Sequence, residues 1–191
     1  DSRGAYAPLY TMQFLPNTEI LVVKIPDEPF EVLSDAAYAG IRDKEPLEDP
    51  QYASIRQEYG MPIPVLFQTW LQGVIDSTFE LHKERYGIYN SETDMLQIAR
   101  MWVNVMEKGD QHFPHMHENA FYSFAAYIKV DDNDAPFYFI KDNHGSKIEI
   151  NKESEKHMLI FPSGLIHTVY PKESEGQRIS VSGNVVLDLK S

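Results

Sequence analysis

With 29 acidic against 17 basic residues in 191 and a formal net charge of −12, the chain repels phosphate backbones, which argues against nucleic acid as a partner. It has no cysteine, so disulfide and thiolate–metal frameworks are excluded, and imidazole and carboxylate remain as strong metal ligands. There is no run of about 18 apolar residues to cross a membrane and no Asn-x-Ser/Thr acceptor, while 42% hydrophobic content suits one domain with a real core. A cytoplasmic setting is therefore expected.

Residues 1–16, with Pro8 and Pro16 and little periodicity, read as an irregular arm. The β-branched run at 19–25 predicts a strand ended by Pro26. Ser34 ahead of Asp-Ala-Ala-Tyr-Ala suits the start of a short helix, and a second is expected after Pro50, through Tyr52 and Ile55. Such a solvent-side excursion commonly covers a site. The clearest helix runs from Val65 to about Tyr86: Phe67, Leu71, Val74, Thr78 and Leu81 share a face, Pro64 precedes it and Gly87 follows.

From Met95 onward the period switches to two. Short strands are expected at 98–106, 121–130, 137–141, 147–150, 157–161, 168–170 and 178–189, with turn-rich joints at 131–134, 142–145 and 172–176. Many short strands after a helical preface predict a mainly β protein with flanking helices, a sandwich or barrel. We read a single domain, 1–191, with a strand/helix cover over 1–94 and a β core over 95–189.

Six of the seven histidines fall between 112 and 167. In a strand, alternate side chains share a face, so His115 and His117 can point at one spot, and His167 returns a third imidazole after several strands. Three nitrogen donors with positions left open suit a redox-active or Lewis-acid divalent metal. His112 is a spare, either behind that set or in place of His115. In the last strand Arg178, Ser180, Ser182 and Asn184 alternate with Ile179, Val181 and Val185. The polar face is either solvated or turned inward beside the metal, where Arg178 would offer a fork to a carboxylate and Ser180 a hydroxyl.

Read together, Trp102-Val-Asn104-x-Met-x-x-Gly109-Asp, His115-x-His117, Ser123-x-x-x-Tyr127, Phe161-Pro-Ser-x-Leu-x-His167-x-Val-x-Pro171 and Arg178-Ile-Ser180-x-Ser182-x-Asn184 resemble the iron(II)- and 2-oxoglutarate-dependent oxygenases. The resemblance lies with the small oxygenase group common in phage and marine bacterial genomes. It implies a double-stranded β-helix, the jelly-roll or cupin-like barrel, with Fe(II) at His115, His117 and His167. It further implies 2-oxoglutarate as cosubstrate, its distal carboxylate anchored by Arg178 and Ser180. Asn104, Tyr127 and Asn184 would line the cosubstrate pocket, and dioxygen would be spent on hydroxylating a small-molecule or peptide substrate. The wider superfamily usually has an acid where His117 stands, which leaves Glu118, redirected by a bulge, as the alternative second ligand.

Two other readings compete. A cupin-type metal enzyme without 2-oxoglutarate shares the glycine and histidine spacing but lacks the expected glutamate after His117, where Phe121 and Tyr122 stand. A non-enzymatic barrel would keep the fold and bind no stoichiometric metal. Neither the substrate nor an oligomeric state is legible.

Overall fold

Among the described residues every strand pairing is antiparallel, and the strands form two sheets. The computed structural model describes residues 10–15, 18–43, 47–48, 56–59, 61–86 and 95–188. In the larger sheet the order is β1 (Tyr10–Leu15), β2 (Thr18–Lys24), β10 (His157–Pro162), β7 (Tyr122–Lys129), β12 (Arg178–Asp188), β5 (Met95–Met106), β4 (Arg56–Tyr59) and β3 (Leu47–Glu48). The smaller runs β6 (His112–His115), β11 (Ile166–Val169), β8 (Asp134–Lys141) and β9 (His144–Ile150). Helices α1 (Asp27–Asp43) and α2 (Val65–Tyr86) complete a three-layer, jelly-roll arrangement.

The period-two pattern divides the core. Leu21, Val23, Phe124, Ala126, Met158 and Ile160 face the helices, packing with Leu33 of α1 and Phe67, Leu71 and Ile75 of α2. Their neighbours Ile20, Ala125, Tyr127, Leu159 and Phe161 face the smaller sheet, packing with Phe137, Phe139 and Val169. The helices therefore cover the back of the larger sheet, and the site lies on its other side, between the sheets.

Several N-terminal expectations change. Residues 10–15, read as part of an irregular arm, form β1, because Thr11 to Gln13 find partners in β2 from Leu21 to Glu19. Helix α1 begins at Asp27, so Ser34 lies inside it rather than capping it. Pro26 ends the strand and also starts the helix, whose first turn carries Asp27 and Glu28 at its positive end. Tyr52 and Ile55 lie outside the described residues, and 56–59 is a strand on β5. Among the described residues no helix is long and apolar enough to cross a membrane.

Two glycines are structurally required. A Cβ on Gly183 in β12 would lie 2.3 Å from the Phe124 ring and 2.8 Å from the Arg100 carbonyl. Gly109 adopts φ 89, and its N–H donates to the Lys172 carbonyl at 2.8 Å. Lys172, fully buried, returns its own N–H to Asp110 O at 2.9 Å and sends Nζ to Ser174 O at 2.8 Å and Asp131 Oδ2 at 3.2 Å. These bonds tie the turn after β5 to the loop before β12, which fixes where Arg178 begins its strand.

Candidate metal centre

His115 of β6 lies directly opposite His167 of β11 in the smaller sheet. His117 stands beyond the end of β6, so strand alternation is not what aims it. Its N–H donates instead to the Ser163 carbonyl at 2.9 Å, in the turn that leads into β11. One ring nitrogen from each of His115, His117 and His167 lies within 4.8 Å of the others. The His117 and His167 rings stack at 9°, with their Nε2 atoms 3.3 Å apart.

The tautomers follow from the backbone. His115 Nδ1 sits 2.7 Å from Phe113 O and His167 Nδ1 sits 2.9 Å from Leu165 O, each carbonyl two residues back. A proton on Nδ1 leaves the Nε2 lone pair as the ligand atom. His144 and His157 make the same local bond, so convergence, not this bond, distinguishes the site. His112 is adjacent, its ring 5.0 Å from that of His115, but it falls outside the converging set, as does Glu118.

Burial holds all four imidazoles below their usual pKa. His117 falls to about 4 and His112 to about 3, chiefly through burial and then through neighbouring imidazoles. His167 lies well below its ordinary value and His115 is also lowered, both for the same first reason. At neutral pH these rings are uncharged, the form that binds a metal. Apolar rings enclose them: Trp102 lies 5.5 Å from His117, Phe137 stacks on His167 at 5.5 Å and 10°, and Phe161 lies 4.8 Å away.

These imidazoles open into a cavity of about 610 Å³ whose other lining residues include Arg100, Trp102, Glu118, Ser182 and Asn184. Strand β12 supplies its polar wall. Register pairs Asn184 with Arg100, Ser182 with Trp102, Ser180 with Asn104 and Arg178 with Met106, so these residues share the inner face of the sheet. Asn104 Nδ2 donates to Ser182 Oγ at 2.9 Å, and Ser123 Oγ donates to Asn184 Oδ1 at 3.0 Å.

Of the sequence-derived candidates, Arg178, Ser180, Asn104 and Tyr127 are buried beyond the lining of that cavity. Arg178 is not an empty fork. Its Nε lies 3.2 Å from Asp134 Oδ1, its Nη2 donates to the Ala135 carbonyl, and its Nη1 reaches only Met106 Sδ, at 3.8 Å. Asp134 in turn accepts from the N–H groups of Ala135 and Asp131, at 2.7 and 3.1 Å. The Arg178 guanidinium sits 5.6 Å from the Tyr127 ring. Tyr127 Oη is buried without a hydrogen-bond partner, and Arg178 Nε faces Asp134 without hydrogen-bond alignment. The sequence marks 131–134 as a turn-rich joint and gives no sign of the Asp134–Arg178 contact. Arg100 is also unmarked, its only sequence signal being a polar residue in phase with Trp102 and Asn104.

Three nitrogen lone pairs in an apolar setting fit a divalent transition metal. The unsatisfied Tyr127 hydroxyl beside a guanidinium fits one end of a carboxylate ligand. Residues 100–157 match the family described as "Putative 2OG-Fe(II) oxygenase". Among solved structures, a prolyl-4-hydroxylase of Pseudomonas putida is 11% identical with a TM-score of 0.64, over 89% of this chain and 93% of that one. The viral collagen prolyl hydroxylase of Paramecium Bursaria Chlorella virus-1, in its 2OG complex, is 12% identical with a TM-score of 0.56, over 89% and 96%. HygX of Streptomyces hygroscopicus, with nickel, 2-oxoglutarate and hygromycin B bound, is 10% identical with a TM-score of 0.59, over 88% and 83%. At these identities the structural likeness shows the fold. No curated protein matches the chain.

Proposed function

We propose that this chain is a 2-oxoglutarate- and Fe(II)-dependent oxygenase that hydroxylates a C–H bond of a substrate admitted through the cavity beside His117. The observation that carries this is the convergence of three ring nitrogens, from His115, His117 and His167, within 4.8 Å. These three residues would hold iron. When bound, iron(II) supplies the redox chemistry that couples decarboxylation of 2-oxoglutarate to succinate with oxidation of the substrate by dioxygen.

The chain's own residues orient and exclude. The Phe113 and Leu165 carbonyls fix the imidazole tautomers, and Trp102, Phe137 and Phe161 flank the rings with apolar surface. Tyr127, Ser180 and the Nη1 side of Arg178 would receive the distal carboxylate of 2-oxoglutarate, while Asn104 holds Ser182 in place on the wall. Prolyl hydroxylases and HygX among the structural relatives support a peptide or a small molecule as substrate.

Calorimetric titration of chelated protein with Ni²⁺ should show one site, weakened by about 100-fold or more in His167→Ala. 2-Oxoglutarate should raise the melting temperature only when metal is present. Stabilisation by 2-oxoglutarate without metal, or unchanged metal affinity in His167→Ala, would overturn the assignment.

A further inference from the structure

We propose that the outer part of the cavity binds a carboxylate of the substrate, held by Arg100 with Ser182 and Asn184, so that the substrate is a small carboxylic acid. This rests on the oxygenase reading and adds the substrate's chemical class.

Arg100 lies on the inner face of β5, with its guanidinium 5.7 Å from the Trp102 ring centroid. That aromatic face orients a planar cation while leaving its N–H edges for a planar anion. In a chain with 29 acidic residues, Arg100 has no carboxylate partner among the described residues. It lines the same cavity as His115, His117 and His167, which brings its charge to the mouth of the metal site.

Two donors stand beside it. Asn184, the cross-strand partner of Arg100, uses Oδ1 to accept from Ser123, which turns its amide hydrogens to the cavity. Ser182 Oγ accepts from Asn104 and keeps its own hydrogen to give. A guanidinium, an amide and a hydroxyl, all donating along one wall, form a carboxylate-binding set. The acid lining this cavity is Glu118, on the segment after β6, where it can accept from an ammonium group. A free amino acid satisfies both.

The same carboxylate cannot be that of 2-oxoglutarate at Arg178. Six residues separate Asn184 from Arg178 along β12, roughly 20 Å of extended strand. One small dicarboxylate does not span both arginines with a metal between them.

The test uses nickel-loaded protein saturated with 2-oxoglutarate without oxygen, probed by ligand-observed NMR and calorimetry with free L-amino acids and the carboxamide of each. At least one acid should bind about tenfold more tightly than its carboxamide, the size expected of hydrogen bonds to a charged group. Arg100→Gln should erase that preference and Arg100→Lys keep part of it, while nickel and 2-oxoglutarate titrate as in the wild type. The proposal falls if no acid binds a protein that takes up 2-oxoglutarate, or if the preference survives Arg100→Gln. It falls too if Arg100→Gln abolishes 2-oxoglutarate binding, which would make Arg100 the cosubstrate anchor. A wild type that takes up neither nickel nor 2-oxoglutarate would instead remove the oxygenase reading beneath it.

Discussion

Two arginines share the inner face of the larger sheet, and their surroundings are opposite. Arg178 is 2% exposed, faces Asp134 at 3.2 Å and has one guanidinium edge committed to the start of β8. Arg100 is exposed at the cavity wall, with an indole beneath it and no ion-pair partner among the described residues. The difference lies in what each would lose without a ligand. A buried guanidinium needs a resident counter-charge to fold at all, whereas an exposed one is solvated and can wait for its partner.

The largest effect should come from separating the deep pair. Asp134→Ala should destabilise the protein by about 3–5 kcal/mol in urea unfolding, because it strands a buried charge. Arg100→Gln, the matching change at the rim, should stay within about 0.5 kcal/mol. Equal losses at the two sites would erase the contrast.

Asp134→Asn sharpens it. Asp134 and the distal carboxylate of 2-oxoglutarate would face one guanidinium, so removing the resident negative charge should tighten 2-oxoglutarate about tenfold by calorimetry while weakening the unliganded fold. Weaker 2-oxoglutarate binding would show that Asp134 aims Arg178 rather than competing for it.

A third effect joins the two regions through pH. Burial, then neighbouring imidazoles, and last the nearby arginine depress His112 on the Arg178 side and His117 on the Arg100 side. Both folded pKa values lie below the ordinary 6.5, so the unfolded chain takes up protons that the folded one refuses as pH drops through that value. Stability of chelated protein should be level above 6.5 and decline below it, before the carboxylates titrate at about pH 5 and lower. His112→Gln and His117→Gln should flatten that decline about equally down to pH 5, since both folded values, about 3 and about 4, lie below that window. A urea midpoint that holds level down to pH 5 would contradict this.

Much of the site could be read from residue order because its elements are periodic. Alternation along β12 placed Arg178, Ser180, Ser182 and Asn184 on one face, and those residues do share the inner face with Trp102 and Asn104. His117 converges with His115 as expected, but through a backbone bond to Ser163 that no local pattern announces. Asp134 was hidden because an acid after Asp131-Asp-Asn looks like any turn; only the β8–β11 and β12 arrangement brings it to Arg178. The N-terminal misreadings have a common source. Pro26 ends β2 as its type predicts but also leads directly into α1, and β1 is defined by its pairing with β2 rather than by its own composition.

Strand β12 lies between two neighbours and two cores, with oily residues toward the helices and polar ones toward the imidazoles. A slip of one position would push a guanidinium into grease and leave Ile179 and Val181 beside the metal ligands. Deleting or inserting a single amino acid there should therefore unmake solubility and chemistry in the same stroke, so this segment can evolve by substitution but not by changing its length.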